Sequence, residues 1–293
     1  MAKKLLFIVN PCAGKKRIAP VLSEVIQVFC DNGYLPTVLM TQYAGHGREL
    51  VEAYGADADL IVCAGGDGTL NETISGLMAA GVDKPVGYLP CGSTNDLAST
   101  LGLSTDPVQA AKNVMNGREM PLDIGVFNGR KFVYTASFGA FTEVSYATSQ
   151  SLKNTLGHLA YVLEGVKSLT QIKPVYARIV TDSGEYEGEW LFGSVSNTTS
   201  LAGILTLDKE LVVLDDGLFE MLIVDAPKSA GDIAKLLVEL GQKKFGGMLH
   251  LYNVKRAVFD MKEPLDWTLD GEQEKGDTHF EIENLNRAAR LMV

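Results

Sequence analysis

The sequence contains no apolar run close to the roughly 18 residues needed to span a bilayer. Its longest, "KLLFIVN" and "ADLIVCAGG", stop well short, so a chain crossing a membrane as a helix is not expected. Cysteine is scarce. Cys12, Cys30, Cys63 and Cys91 are scattered without a paired spacing, which argues against a disulfide framework or a thiolate zinc site and for a reducing compartment. A basic excess is also missing. With 26 Lys and Arg against 36 Asp and Glu, the net charge of −10 argues against nucleic-acid binding. It confines any contact with an anionic membrane to local patches such as "GKKR" (14–17) and "GQKKFGG" (241–247). Neither GxxxxGK[ST] nor GxGxxG occurs, so this is neither a P-loop protein nor one with the usual dinucleotide fingerprint. The start, "MAKKLLFIVNPCAGKK", has a short apolar stretch and no small-residue cleavage site, and reads as the first strand of a cytoplasmic protein.

What is present is an ordinary globular composition, 46% hydrophobic and 21% charged, in 293 residues that suit two modest domains. The first 120 residues alternate between periods. "LLFIV" (5–9) is a continuous apolar strand, and Val21, Leu22, Val25, Ile26 and Phe29 then recur at helical spacing, closed by Gly33. The strands "LPTVLMT", "LIVCA" and "PVGYLP" follow, separated by helices through "GRELVEAYGA" and "TLNETISGLMAAG". Apolar strands with helical crossovers imply a doubly wound parallel sheet, which binds ligands outside the carboxyl ends of its strands.

After Leu122 the pattern becomes strand-rich. An Asn-Gly turn splits "LDIGVFN-GRKFVYTASFG", and "VYARIVTDSGEYEGEWLFGSVSN", "GLFEMLIVD" and "VKRAVFDM" follow. Two helical patterns interrupt it, one over 152–169 and one in "SAGDIAKLLVELGQ". The expected architecture is an N-terminal α/β domain over 1–122, rejoined by the tail 284–293, and a β-rich, sandwich-like domain over 123–283, packed around a shared cleft.

Three polar turns fall at strand carboxyl ends of the first domain. "GGDGTLNE" (65–72) follows an apolar strand and opens a helix, so its backbone N–H groups form an anion cradle that the glycines let a phosphate approach. Asp67 would repel a bare phosphate. Its presence makes sense if Mg²⁺ lies between them or if it handles a proton; the alternative is a tight turn with Asp67 as a cap. Thr69 and Asn71 are placed to donate to phosphate oxygens. "VNPCAGKK" adds Asn10, Gly14 and Lys15, and "PCGSTNDLA" adds Gly92, Ser93, Thr94, Asn95 and Asp96, although the latter also reads as a helix start. Three such turns in one crevice point to a nucleoside triphosphate.

The segments "NPCAGK" (10–15), "GGDGTLNE", "GSTNDLA" (92–98), "LDIG" (122–125), "LDDGLFEMLIV" (214–224) and "LDGE" (269–272) span nearly the whole chain, which resembles the diacylglycerol kinase catalytic-domain family. This family comprises bacterial lipid kinases related to sphingosine and ceramide kinases. "GGDGT" alone also occurs in NAD kinases; "GSTND" with the late "DDG" and "DGE" makes the likeness specific. The resemblance implies a diacylglycerol-kinase-like fold and ATP- and Mg²⁺-dependent phosphorylation of a lipid alcohol. It implies that Asn10, Lys15, Thr41, Gly65, Gly66, Asp67, Gly68, Thr69, Leu70, Asn71, Ser93 and Asn95 contact ATP. Glu272 would accept the proton, with Asp67 and Asp270 completing the catalytic set, and Asp216 would hold a structural Mg²⁺ with the backbone carbonyls of Val213 and Leu218.

One stretch departs from the family pattern. A Gly-Gly pair and a Pro-x-Ala step usually precede the "DDG" turn, whereas this chain reads "NTTSLAGILTLDKELVVLDDG". On residues alone "LDGE" reads first as a surface hairpin, since Asp-Gly is the commonest hairpin signal, and it is the resemblance that favours catalysis. A lipid acceptor calls for a long apolar cleft beside Glu272 and peripheral, transient membrane contact, for which the 152–169 helix and "KKFGGMLHLY" are candidates. An exposed strand edge would allow a homodimer. The alternatives are an NAD kinase-like enzyme of a soluble acceptor and a non-catalytic nucleotide-binding regulator.

Overall fold

The computed structural model describes residues 2–14, 16–139, 173–201 and 205–293. The expected helix at 152–169 and the phosphate candidate Lys15 lie outside them.

The first part of the chain forms β1 (Lys3–Val9), α1 (Leu22–Asp31), β2 (Tyr34–Met40), α2 (His46–Tyr54), β3 (Leu60–Gly65), α3 (Asp67–Ala80), β4 (Val86–Pro90), α4 (Asp96–Leu101) and α5 (Pro107–Asn116). The four strands pair in parallel in the order β2-β1-β3-β4. β3 and β4 are buried along their whole length, as strands covered by helices on both faces must be. Two apolar layers flank the sheet. Ile8, Cys63, Leu70, Ile74 and Tyr88 lie in one, and Phe7, Phe29, Val62 and Leu89 in the other. Because β1 leads outward to β2 while β3 and β4 lie on its other side, the crossovers diverge between β1 and β3. That divergence opens a crevice at their carboxyl ends, where Asn10 and Gly65 stand.

The remainder is β-rich: β5 (Glu119–Phe127), β6 (Arg130–Phe132), β7 (Thr135–Gly139), β8 (Val175–Thr181), β9 (Glu185–Ser196), β10 (Ser200–Leu201), β11 (Leu205–Thr206), β12 (Phe219–Asp225), α6 (Ala230–Gln242), β13 (Leu249–Val254), β14 (Arg256–Leu269) and β15 (Glu272–Met292). The Asn128-Gly129 turn between β5 and β6 has both residues at positive φ, as a two-residue hairpin turn requires. β15 is the structural bridge. Its first half pairs antiparallel with β14, and its end pairs in parallel with β4 through Leu291↔Val86 and Met292↔Gly87. The two parts therefore share one continuous sheet, with β14-β15 in its middle. An aromatic core of Phe127, Phe132, Phe138, Phe259, Trp267 and Phe280 fills one face of the β-rich part. This is the mixed α/β and β-rich architecture the sequence pattern implied. Among the described residues no helix is long and apolar enough to cross a membrane.

Candidate functional site

The three glycine-bearing turns meet. A Cβ on Gly92 would stand 2.5 Å from the Cα of Gly66, and one on Gly14 would stand 2.5 Å from the carbonyl oxygen of Cys91, so side chains are excluded where the loops touch. The carbonyl of Gly65 accepts from the N–H groups of Cys91 (2.7 Å) and Gly92 (3.2 Å), locking the second turn to the third. Asn10 closes the set: its Oδ1 accepts from the Cys12 N–H (3.0 Å), and its Nδ2 donates to Thr69 Oγ1 (3.2 Å) on the first turn of α3. Thr41, at the end of β2, is buried and donates its N–H to the Val9 carbonyl (2.9 Å).

α3 begins with Gly66 in extended conformation and no side-chain cap on its first turn, which leaves N–H donors and the positive end of the helix dipole facing the crevice. Asp67 lies beside them. Its Oδ2 accepts from the Asp96 N–H (3.0 Å) and, more weakly, from the Thr94 hydroxyl (3.5 Å), whereas its Oδ1 is buried without a hydrogen-bond partner. Burial pushes the Asp67 carboxyl above the usual carboxylate range, and backbone N–H groups oppose that shift. An unpartnered carboxylate oxygen beside free helix N–H groups fits a cation bridging to a bound phosphate. Among the described residues no three His, Cys, Asp or Glu side chains gather as a metal cage. Mg²⁺ does not require one, because it is commonly held by one or two carboxylates, water and substrate phosphate.

Glu272 reaches this crevice from the β-rich part. The Asp270-Gly271 turn joins β14 to β15 with φ of 49° and 86°, a two-residue hairpin, and Glu272 is the first residue after it. Its Oε1 lies 3.7 Å from where a Cβ on Gly68 would stand, directly over the first turn of α3. Its Oε2 accepts from Arg130 Nη2 (2.6 Å), and Arg130 also pairs with Glu274. The convergence of Glu272 with the Asp67 turn, expected across the two parts, is what the structure places there.

Asp270 does a different job. Its buried carboxylate accepts from Asn71 Nδ2 (2.6 Å) and from the N–H groups of Val133 (2.6 Å), Tyr134 (3.0 Å) and Thr135 (3.0 Å). Burial raises its pKa to about 6 despite those donors. All its contacts fix the hairpin against α3 and β7, so it positions Glu272. Asn71, expected to donate to phosphate, instead gives its amide to Asp270 and to the Lys131 carbonyl (3.2 Å). Two further expectations change for the same reason, that the fold uses the side chain. Leu70 is in the hydrophobic core, leaving only its backbone near the crevice. Asn95 bonds both the N–H (2.8 Å) and the carbonyl (3.0 Å) of Gly92 and shapes its own loop. Ser93 is exposed on that loop.

The proposed metal turn is elsewhere in the hydrogen-bond network. Asp216 Oδ1 accepts from the Leu218 N–H (2.9 Å), Val213 is exposed, and the turn is fastened by buried Asp123, which accepts from the N–H groups of Gly217 (2.6 Å) and Arg287 (2.6 Å) and from the Asn284 and Asn286 amides.

Two residues not singled out by the sequence, Glu72 and Arg130, matter here together with Asp96 of the third turn. Glu72 accepts from the N–H groups of Gly45 (2.7 Å) and Gly47 (2.9 Å), capping α2 from α3. Its place at the end of "GGDGTLNE", opposite "GHG" at 45–47, was the available signal. Arg130 follows the Asn-Gly hairpin turn. Asp96 is raised to about 6 by burial and by the negative charges of Asp67 and Asp270. Between α2, α3, β6 and the Asp270 turn lies a cavity of about 450 Å³ lined by Arg48, Asn71, Glu72, Ser75, Arg130, Lys131 and Glu272. Ala44 and Leu269 add apolar surface to it beside Glu272.

Residues 4–127 match the family model of the diacylglycerol kinase catalytic domain. The chain is 33% identical over 273 residues to the diacylglycerol kinase of Bacillus subtilis (strain 168), covering 92% of this chain and 90% of that one. It is 34% identical over 275 residues to that of Staphylococcus saprophyticus, covering 93% and 90%. Among solved structures, a protein of Bacillus anthracis str. Sterne superposes with a TM-score of 0.81 at 25% identity, covering 99% of this chain and 95% of the other. A diacylglycerol kinase structure from the same organism gives 0.73 at 23% identity, covering 99% and 96%. With the Asp67 turn, the "GSTND" loop and the "DGE" hairpin brought to one crevice, these similarities establish that the chain belongs to the diacylglycerol kinase family of lipid kinases.

Proposed function

We propose that the protein transfers the γ-phosphate of ATP, with Mg²⁺, to the free hydroxyl of diacylglycerol. The observation that carries this reading is the Glu272 carboxylate standing over Gly68, on the helix turn that Asp67 opens. Phosphoryl transfer needs in-line positioning, charge neutralisation and a group that takes the acceptor's proton. The first-turn N–H groups of α3 and the turns at Asn10 and Gly92 hold the phosphate chain. Mg²⁺, when bound, supplies charge neutralisation, and Asp67 Oδ1 is the ligand offered to it. Glu272 takes the proton as the acceptor oxygen bonds to the γ-phosphorus and the bond to ADP breaks. Asp270 and Arg130 fix the Glu272 backbone and carboxylate, so the proton acceptor is preorganised. Asp216, with the Val213 and Leu218 carbonyls, remains the proposed structural Mg²⁺ site. The acceptor lies in a bilayer, so the protein meets it peripherally, at the cytoplasmic face.

The test is transfer of labelled γ-phosphate into diacylglycerol in mixed micelles, beside tubes containing a sphingoid base, a polyprenol or NAD. Labelled phosphatidic acid that disappears on chelation of Mg²⁺ is expected. Label in another acceptor alone overturns the substrate assignment. Glu272→Gln should keep ATP affinity and lose turnover by roughly 10²–10⁴-fold. A fully active variant removes Glu272 from the mechanism.

A further inference from the structure

Opposite residues in an antiparallel pair, and alternate residues along a strand, present their side chains on the same face. In the β-rich sheet Thr135 stands opposite Ser196, which stands opposite Glu220, and Ser137 stands opposite both Ser194 and Thr268. These six polar side chains therefore share one face of β7, β9, β12 and β14. The other face, carrying Ala136, Phe138, Val195, Met221 and Leu269, is the aromatic core. All six are buried, none more than 9% exposed. Six buried polar groups in one patch of a sheet are unexpected unless something hydrogen-bonds them, and three atoms here have no partner: Thr135 Oγ1, Ser194 Oγ and Glu220 Oε2.

The patch begins at the catalytic turn. Thr135 donates its N–H to Asp270 Oδ1 (3.0 Å) and accepts the Asp270 N–H (2.9 Å), two residues before Glu272. Moving away from that turn along the same face, Phe192, Leu222 and Val224 replace the polar residues and pack with Leu236 of α6. The polar stretch is thus confined to the part of the sheet nearest the proton acceptor.

We propose that Thr135, Ser194 and Glu220 form the site that reads the oxygen-bearing headgroup of the acceptor lipid, an uncharged glycerol ester. This rests on the lipid-alcohol reading of the Glu272 site. The groups suit that chemistry: two hydroxyls and a carboxyl offer donors to ester carbonyl oxygens and acceptors for a hydroxyl. A glycerol diester presents two carbonyl oxygens and one hydroxyl to such a set.

The test compares the wild-type protein with Thr135→Val, Ser194→Ala and Glu220→Gln, measuring kcat, the KM for dioctanoylglycerol in micelles and the KM for ATP. Binding of dioctanoylglycerol without ATP is measured in parallel from the ligand-induced shift in melting temperature. The expected result for Thr135→Val and Ser194→Ala is a rise of about fivefold in the lipid KM, equivalent to about one neutral hydrogen bond, with the ATP KM unchanged. Glu220→Gln, which keeps hydrogen-bonding atoms at this position, should retain the glycerol ester better than Glu220→Leu does. Wild-type protein that binds dioctanoylglycerol without phosphorylating it, with binding weakened in the variants, leaves this site standing and overturns the substrate assignment alone. Variants that bind and turn over the lipid like the wild type, changed only in melting temperature, overturn the site and make the patch a structural, hydrated one. Wild-type protein that neither binds nor phosphorylates the lipid overturns both, as does preferential use of a sphingoid base.

Discussion

Asn71 and Asp270 are 199 residues apart in the chain and are joined by a 2.6 Å hydrogen bond from the amide to the carboxylate. This bond links α3, on whose first turn the phosphate chain is proposed to lie, to the hairpin that carries Glu272, the proposed proton acceptor. Asp270→Asn should therefore act on geometry. Oδ1 serves the N–H groups of Tyr134 and Thr135, and Oδ2 serves the Val133 N–H and the Asn71 amide, so the replacement amide turns an NH₂ toward one of these two pairs of donors; losing one such charge-assisted bond costs about 1.5–3 kcal/mol. We expect a lower melting temperature together with a fall in kcat at nearly constant ATP KM. Full activity in a folded Asp270→Asn protein would show that the hairpin is held without this carboxylate.

Glu72 gives a contrasting expectation. Its two oxygens cap the Gly45 and Gly47 N–H groups, and a Cβ on Gly47 would stand 2.6 Å from Oε2, so the loop between Thr41 and α2 is moulded on this carboxylate. Glu72→Gln converts one acceptor into a donor facing an N–H. The expected effect is a rise of about tenfold in the ATP KM, from about 1.4 kcal/mol of lost loop order, with little change in the lipid KM. Equal effects on both substrates would mean that Glu72 supports the whole crevice.

The parts of the site legible in the sequence are those where backbone geometry dictates residue type. Gly65, Gly66 and Gly92 lie where two loops touch, and Asp270-Gly271 occupies a turn with both φ positive, so glycine and Asp-Gly appear in the sequence as direct traces of those shapes. The destinations of polar side chains were not legible. Asn71 was read as a phosphate ligand because nothing near residue 71 announces that Asp270 will come within 2.6 Å. Asp123 appears as one polar residue in the strand "LDIG", and its partners arrive from Gly217 and from 284–287, beyond the reach of local periodicity. The row formed by Thr135, Ser196 and Glu220 becomes visible only once the register of three strands is known.

Glu220 also predicts how stability follows pH. Its ordinary value of 4.5 is raised to about 8 in the fold, by burial first and then by Asp216 and Asp123. Between those values the folded protein holds a proton that the unfolded chain releases, so this group makes stability fall as pH rises from about 4.5 to about 8. Asp96 and Asp270, both raised to about 6, add the same sign at lower pH. Glu220→Gln removes the largest contribution. Chemical denaturation at about pH 5 and about pH 8 should show a smaller difference for the variant than for the wild type, with the variant gaining relative stability at the higher pH. Parallel slopes would mean that Glu220 is ionised in the fold.

Gly68 and Gly92 separate folding from chemistry. An added methyl at Gly92 meets the Gly66 backbone at 2.5 Å, so Gly92→Ala must force the second and third turns apart and should lower the melting temperature and the activity together. At Gly68 the nearest atom to an added Cβ is Glu272 Oε1, at 3.7 Å, an ordinary contact. Gly68 is also helical, and alanine is favoured over glycine in a helix by up to about 1 kcal/mol. Gly68→Ala should therefore melt no lower than the wild type. Yet the methyl fills the gap between the first turn of α3 and Glu272, where the proposed reaction brings the transferred phosphate and the acceptor oxygen together. We expect turnover to fall by about 10-fold or more through misplacement of the reacting atoms, with melting temperature unchanged or raised. A Gly68→Ala protein that is both stable and fully active would move the reaction away from the space between Gly68 and Glu272.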